Sequence, residues 1–152
     1  MTARSPDASP REAVIVSMAR TPIAKAYRGA YADVHPLTLG AHALGAAVAR
    51  AGIAPADVED VVWGAAVPQG GQWPNLGRMV ALRAGLPPNV PGMHVDRQCA
   101  SGLMAIAIAA RQITGEGQAI AVAGGQESVS QVQNEGLRYT PDPDLALAMP
   151  PA

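Results

Sequence analysis

The stretch that decides the fold is Asp96-Arg97-Gln98-Cys99-Ala100-Ser101-Gly102-Leu103-Met104-Ala105-Ile106-Ala107-Ile108-Ala109-Ala110, closed further on by Thr114-Gly115. A polar turn gives way to an apolar run too long for a strand, which reads as a buried helix ended by glycine. Cys99, the only cysteine of the chain, stands at the head of that run. Unpaired N–H groups and the helix macrodipole favour an anion at this position. A thiol placed there is a candidate nucleophile, because the thiolate is the reactive form.

Working outward, Pro87, Pro88 and Pro91 form a stiff connector into a short strand over 93–96, just before the cysteine. After the helix, residues 119–123 read as another strand, closed by Gly124-Gly125. Upstream, 58–67 is a strand centred on Val61-Val62-Trp63, followed by a loop over 68–74 and a helix from Asn75 to Ala84 stopped by Gly85. Residues 39–50 form a helix capped by Thr38 and ended by Gly52, with Leu39, Ala43, Ala46, Ala47 and Arg50 at helical spacing. The β-branched run Val14-Ile15-Val16 marks a first buried strand over 12–18, broken by Arg20-Thr21-Pro22. Four strands alternating with three helices predict an α/β layer with a mostly parallel sheet and crossover helices.

Composition narrows the function classes. The chain has 152 residues, a formal charge of −1 and no phenylalanine, so its core is built from Ala, Val, Ile, Leu and Met. Without a basic stripe, nucleic acid is not an expected partner. No segment offers the roughly 18 consecutive apolar residues of a membrane span, and residues 1–11 do not read as a signal peptide. A single cysteine makes no intrachain disulfide and fits a reducing compartment. A cytoplasmic protein is the expectation. Residues 1–11 read as a flexible N-terminus and 12–130 as the folded domain. The stretch 131–152, polar and then proline-rich, reads as the start of a loop region in a chain that continues.

Three stretches carry a further signal when taken in order. They are Arg20-Thr21-Pro22; residues 64–87, with Gly71-Gln72, Asn75, Arg78 and Ala84-Gly85-Leu86-Pro87; and Gln98-Cys99-Ala100-Ser101-Gly102-Leu103 followed by Ala123-Gly124-Gly125-Gln126-Glu127-Ser128. Together they resemble the N-terminal part of the thiolase family, the acyl-CoA C-acyltransferases, over residues 12–130. The resemblance implies that Cys99 is the acyl acceptor, forming an acyl-thioester from an acyl-CoA. It implies Claisen condensation with acetyl-CoA, or thiolytic cleavage of a 3-ketoacyl-CoA by free CoA. CoA and acyl-CoA are then substrates, with no permanently bound cofactor and no metal. It also implies a homo-oligomer, dimer or tetramer, and a fifth strand of this sheet supplied by later sequence.

The departures are specific. The family's Gly-His-Pro histidine and second cysteine are not in the chain, whose histidines are His35, His42 and His94. Ala24 stands where relatives often carry glycine, and 70–78 is one residue longer than in some of them. A competing reading is a non-catalytic thiolase-like module that acts by subunit association or acyl binding. A redox thiol requires a resolving cysteine, which the chain lacks. His94 precedes the thiol, but strand alternation places it as readily on the opposite face. Plainer readings fit the rest: Met79, Met93 and Met104 as core fillers, Gly124-Gly125 as a close backbone contact, Glu127-Ser128 as a turn hydrogen bond, and Asp96-Arg97 as a solvated ion pair.

Overall fold

The structure, a computed structural model, describes residues 11–133. Its elements are α1 (Pro36–Ala51), β1 (Asp60–Gly64), α2 (Leu76–Arg83), β2 (Gly92–Val95), α3 (Ser101–Arg111), β3 (Ala121–Gly125) and the single turn α4 (Val129–Val132). The three strands form one parallel sheet in the order β2-β1-β3, with Val62 of β1 paired to Met93 on one side and to Ala123 on the other. The parallel α/β expectation holds, and β1 is buried along its whole length, as a central parallel strand covered on both faces must be.

Alternation along β1 divides the core. Val61 and Trp63 point into a cluster with Leu44 and Val48 of α1 and Leu76 and Val80 of α2. Val62 points the other way, against Ala105 and Ala109 of α3 and the half-buried Met93 of β2. Trp63 lies across β3, where a Cβ on Gly124 would fall 2.5 Å from the indole ring. Its indole N–H donates to Gln126 Oε1 at 3.1 Å. Gly124 is therefore the close backbone contact that the sequence predicts.

Two expectations about α1 are corrected. The helix begins at Pro36, and its cap is His35, whose Nδ1 accepts from the Leu37 N–H at 3.2 Å. Proline suits the first helical position because the N–H it lacks would be unpaired there anyway. The buried stripe is Pro36, Gly40, Ala41, Leu44 and Val48, one position round from the predicted Leu39-Ala43-Ala47 row. The C-terminal stop at Gly52 is as expected, with φ +68°.

The largest correction is the first strand. Residues 12–18 pair with no strand among the described residues, and Val14, Ile15 and Val16 are 70–75% exposed. A β-branched run becomes a strand only when a neighbour completes its ladder. This segment instead stands off from the sheet, tied by the Arg50 guanidinium to Met18 O (2.9 Å), while the loop that follows it is held by the Tyr27 N–H on Ser130 Oγ (2.8 Å). Between the segment and β3 lies a cleft of about 850 Å³. The row Leu39-Ala43-Ala47, the edge strand β3 and Ile106 of α3 line its other walls. The sheet thus has three strands in the described residues, where the sequence predicts four. The tail reading over 134–152 and the N-terminal reading over 1–10 lie outside them.

Two glycines test this packing with opposite signs. Gly77 of α2 faces the backbone of β2, where a Cβ would meet Met93 O at 2.2 Å. Gly77→Ala is expected to cost about 1–3 kcal/mol, as overpacking does. Gly45 of α1 has open space around it, so Gly45→Ala is expected to gain about 0.5–1 kcal/mol from helix propensity. Urea denaturation midpoints of the two variants check both signs.

Candidate functional site

Cys99 is exposed and lies two residues ahead of α3, on the turn that follows β2. The carboxyl ends of parallel strands are where open α/β sheets bind ligands, and the turn sits over that edge. Its closeness to the sheet comes from glycine. A Cβ on Gly64, the last residue of β1, would fall 2.4 Å from the Ser101 carbonyl carbon and 2.7 Å from Gly102 N. On Gly125, the last residue of β3, a Cβ would fall 3.2 Å from Gly102 Cα. The first turn of α3 therefore rests directly on two strand ends.

No side chain caps α3. Ser101 N–H reaches back to Gln98 O at 3.0 Å and Met104 N–H to Ala100 O at 2.9 Å. The N–H groups of Gly102 and Leu103 keep no protein acceptor among the described residues, the usual state of a first turn. Cys99 is exposed, and Gly102 is bare of side chain with open space where a Cβ would stand. An exposed thiol ahead of unpaired N–H donors suits attack on a carbonyl and stabilisation of the oxyanion that results.

The turn itself is closely bonded. Asp96 Oδ1 accepts from Gln98 N–H at 2.8 Å, so the expected role in an Asp96-Arg97 ion pair gives way to a local backbone bond. Gln98 lies at φ +52°. The hydroxyl of Ser101, a buried side chain, bonds both Arg97 N–H and Gln98 O. His94 does not join the thiol in any bond. Its Nε2 donates to Ala65 O at 3.2 Å, so it braces the end of β1.

On the opposite side, Glu127 and Gln72 hold the segment that follows β1. Glu127 Oε2 accepts from Ala66 N–H at 2.7 Å and its Oε1 from Gln72 Nε2 at 2.9 Å. Gln72, fully buried, also donates to Val67 O at 2.8 Å and accepts from Ser128 N–H at 3.1 Å. The predicted Glu127-Ser128 turn bond is thus a long-range clamp. Nothing in the sequence pattern pairs residue 72 with 127, although both lie in stretches that carry the family resemblance. Asn75 and Arg78 of those stretches are structural. Asn75 caps α2 and donates to Gly92 O at 2.9 Å, and the Arg78 guanidinium donates to Val90 O and Pro88 O. No group of three or more metal-ligating side chains occurs among the described residues, and no described helix is long and apolar enough to cross a membrane.

Fold and site together define a parallel α/β domain that presents a thiol at a strand-to-helix turn. Residues 13–139 match the family model described as the N-terminal domain of thiolase. The chain is 44% identical over 138 residues to a 3-ketoacyl-CoA thiolase of Bacillus subtilis, a match covering 91% of this chain and 35% of the relative. It is 42% identical to an acetyl-CoA acetyltransferase of Cupriavidus necator over 78% of this chain and 30% of that protein. The crystal structure of the Bacillus anthracis acetyl-CoA acetyltransferase superposes with a TM-score of 0.75 at 38% identity, over 80% of this chain and 30% of that one. The chain belongs to the thiolase family. It spans about a third of the length of the curated relatives it matches.

The clamp yields a prediction. Gln72→Leu keeps the volume but strands Val67 O and the Ser128 N–H, so it is expected to destabilise the fold by about 1–3 kcal/mol. Thermal or urea melting measures the loss, and an unchanged midpoint refutes the role given to Gln72.

Proposed function

We propose that this chain is the nucleophile-bearing N-terminal part of a thiolase-type acyl-CoA C-acyltransferase, working in the cytoplasm as a homo-oligomer. The observation that carries the reading is an exposed Cys99 at the uncapped head of α3, within a chain of this family. The Cys99 thiolate attacks the carbonyl carbon of an acyl-CoA, and the oxygen takes up the electron pair beside free N–H donors. Collapse expels CoA thiolate and leaves the acyl group on the Cys99 sulfur. The enolate of acetyl-CoA then attacks that thioester carbonyl, forms the carbon–carbon bond and releases the cysteine thiolate. Reversal, with CoA as the attacking thiol, cleaves a 3-ketoacyl-CoA. The acid–base groups for these proton transfers, a Gly-His-Pro histidine and a second cysteine in the family, belong to sequence outside this chain, as does a strand to fill the cleft beside β3.

Incubation with acetyl-CoA followed by intact-mass measurement tests the reading. The intact protein is expected to gain one acetyl group, and Cys99→Ser to gain almost none. Unchanged acylation in that variant removes Cys99 from the mechanism. The 152-residue chain by itself is expected to acylate slowly or not at all.

Two exposed apolar features bear on association of the isolated chain. Leu103 of α3 is 73% exposed and lies outside the lining of the cleft beside β3, to which Ile106 and the run 14–16 belong. The isolated chain is expected to associate with rising concentration in light scattering, and a clean monomer with cooperative melting argues against the assignment.

A further inference from the structure

The turn that carries Cys99 holds one residue in a conformation its side chain disfavours. Gln98 lies at φ +52°, where a Cβ crowds the neighbouring carbonyl and which glycine alone enters freely. Such a residue persists only where its surroundings over-determine it. Asp96 Oδ1 accepts from the Gln98 N–H at 2.8 Å and the Ser101 N–H donates to the Gln98 carbonyl at 3.0 Å, and one hydroxyl adds two further bonds. Ser101 Oγ accepts from the Arg97 N–H at 2.9 Å and donates to the Gln98 carbonyl at 2.6 Å, so it grips the chain before and after Gln98.

Ser101 has no freedom to act otherwise. It is only 3% exposed, and its backbone rests on Gly64. A serine at the N-cap ordinarily turns its oxygen to the N–H groups of the first turn, but Ser101 stands one residue past the N-cap, Ala100. This one turns back to the loop, and α3 is left uncapped. The geometry therefore spends the hydroxyl on Gln98 and leaves the first-turn donors free. Because Cys99 follows Gln98 directly, the backbone angles at Gln98 set the direction in which the thiol leaves the turn.

We propose that Ser101 is the positioning residue of this site, holding Gln98 left-handed and so aiming the Cys99 thiol beside the free N–H groups of α3. The proposal rests on the acyl-acceptor reading of Cys99 and adds a second residue to it. Ser101 takes no part in bond making; it acts through the backbone.

The test uses the intact protein with Ser101→Ala, Gln98→Gly and the double variant. Two rates are measured by intact mass, the acetylation of Cys99 by acetyl-CoA and its alkylation by iodoacetamide, with thermal melting alongside. Ser101→Ala is expected to slow acetylation about tenfold or more, the scale on which misplacement of a reacting group acts, and to change the alkylation rate with it. Glycine adopts φ +52° without strain, so Gln98→Gly in the double variant is expected to restore most of the lost rate. A serine that mattered only for packing would not be rescued at residue 98. Parent rates in Ser101→Ala, or a loss that persists in the double variant, overturn the proposal. If Ser101→Ala alone fails to fold, a double variant that also fails to fold or to react overturns it equally. If the parent protein is alkylated at Cys99 but takes no acetyl group, the acyl-acceptor reading fails while the alkylation series still decides the role of Ser101.

Discussion

The separation between the head of α3 and the ends of β1 and β3 governs the geometry of the site, and the absence of two Cβ atoms sets that separation. At Gly64 any side chain would collide with the backbone of Ser101, and at Gly125 it would press on Gly64 O and Gly102. Those collisions involve main-chain atoms, which cannot rotate aside as a flexible side chain does. With both positions bare, the helix start drops onto the sheet and Ser101 is buried. The loop between β2 and α3 is then short enough that Cys99 stands proud of it. The same two residues thus place the thiol and limit what can be built around it.

A second tier of polar contacts stiffens that platform. The segment leaving β1 is braced by His94 at Ala65 O, by Glu127 at Ala66 N–H and by Gln72 at Val67 O. Three successive residues are therefore held by side chains from β2, from the end of β3 and from the loop before α2. Main-chain groups leaving a parallel strand need partners once the ladder stops, and this arrangement meets the need without covering the thiol. On the far end of the sheet the buried Asp60 plays a similar part, accepting from Gln112 Nε2 at 2.7 Å and from Val61 N–H.

What the sequence revealed and what it concealed divide along physical lines. Periodicity and glycine stops located β1, α2, β2, α3 and β3 to within a few residues, because burial and chain termination are local. The apolar run behind Cys99 is helical for the same reason. The segment 12–18 has the composition of a buried strand, yet strand formation is a property of pairs and its partner is not among the described residues. The choice between Thr38 and His35 as the cap of α1 turned on proline at the first helical position, a local signal that outweighs the commoner capping residue. In the site, the family resemblance picked out Cys99. The left-handed Gln98, the backward-turned Ser101 and the Gln72–Glu127 pair were not legible, since dihedral angles and contacts more than fifty residues apart leave no periodic trace.

The placement of the two tryptophans has an optical consequence. Trp63 is 3% exposed, with its ring laid over Gly124 and its N–H bonded to Gln126, whereas Trp73 is 66% exposed on the loop before α2. With no other tryptophan in the chain, the fluorescence has one shielded emitter and one wet emitter. Iodide in solution reaches the second and spares the first. The unquenched remainder is therefore a built-in optical gauge of the joint between β1 and β3, read without any label.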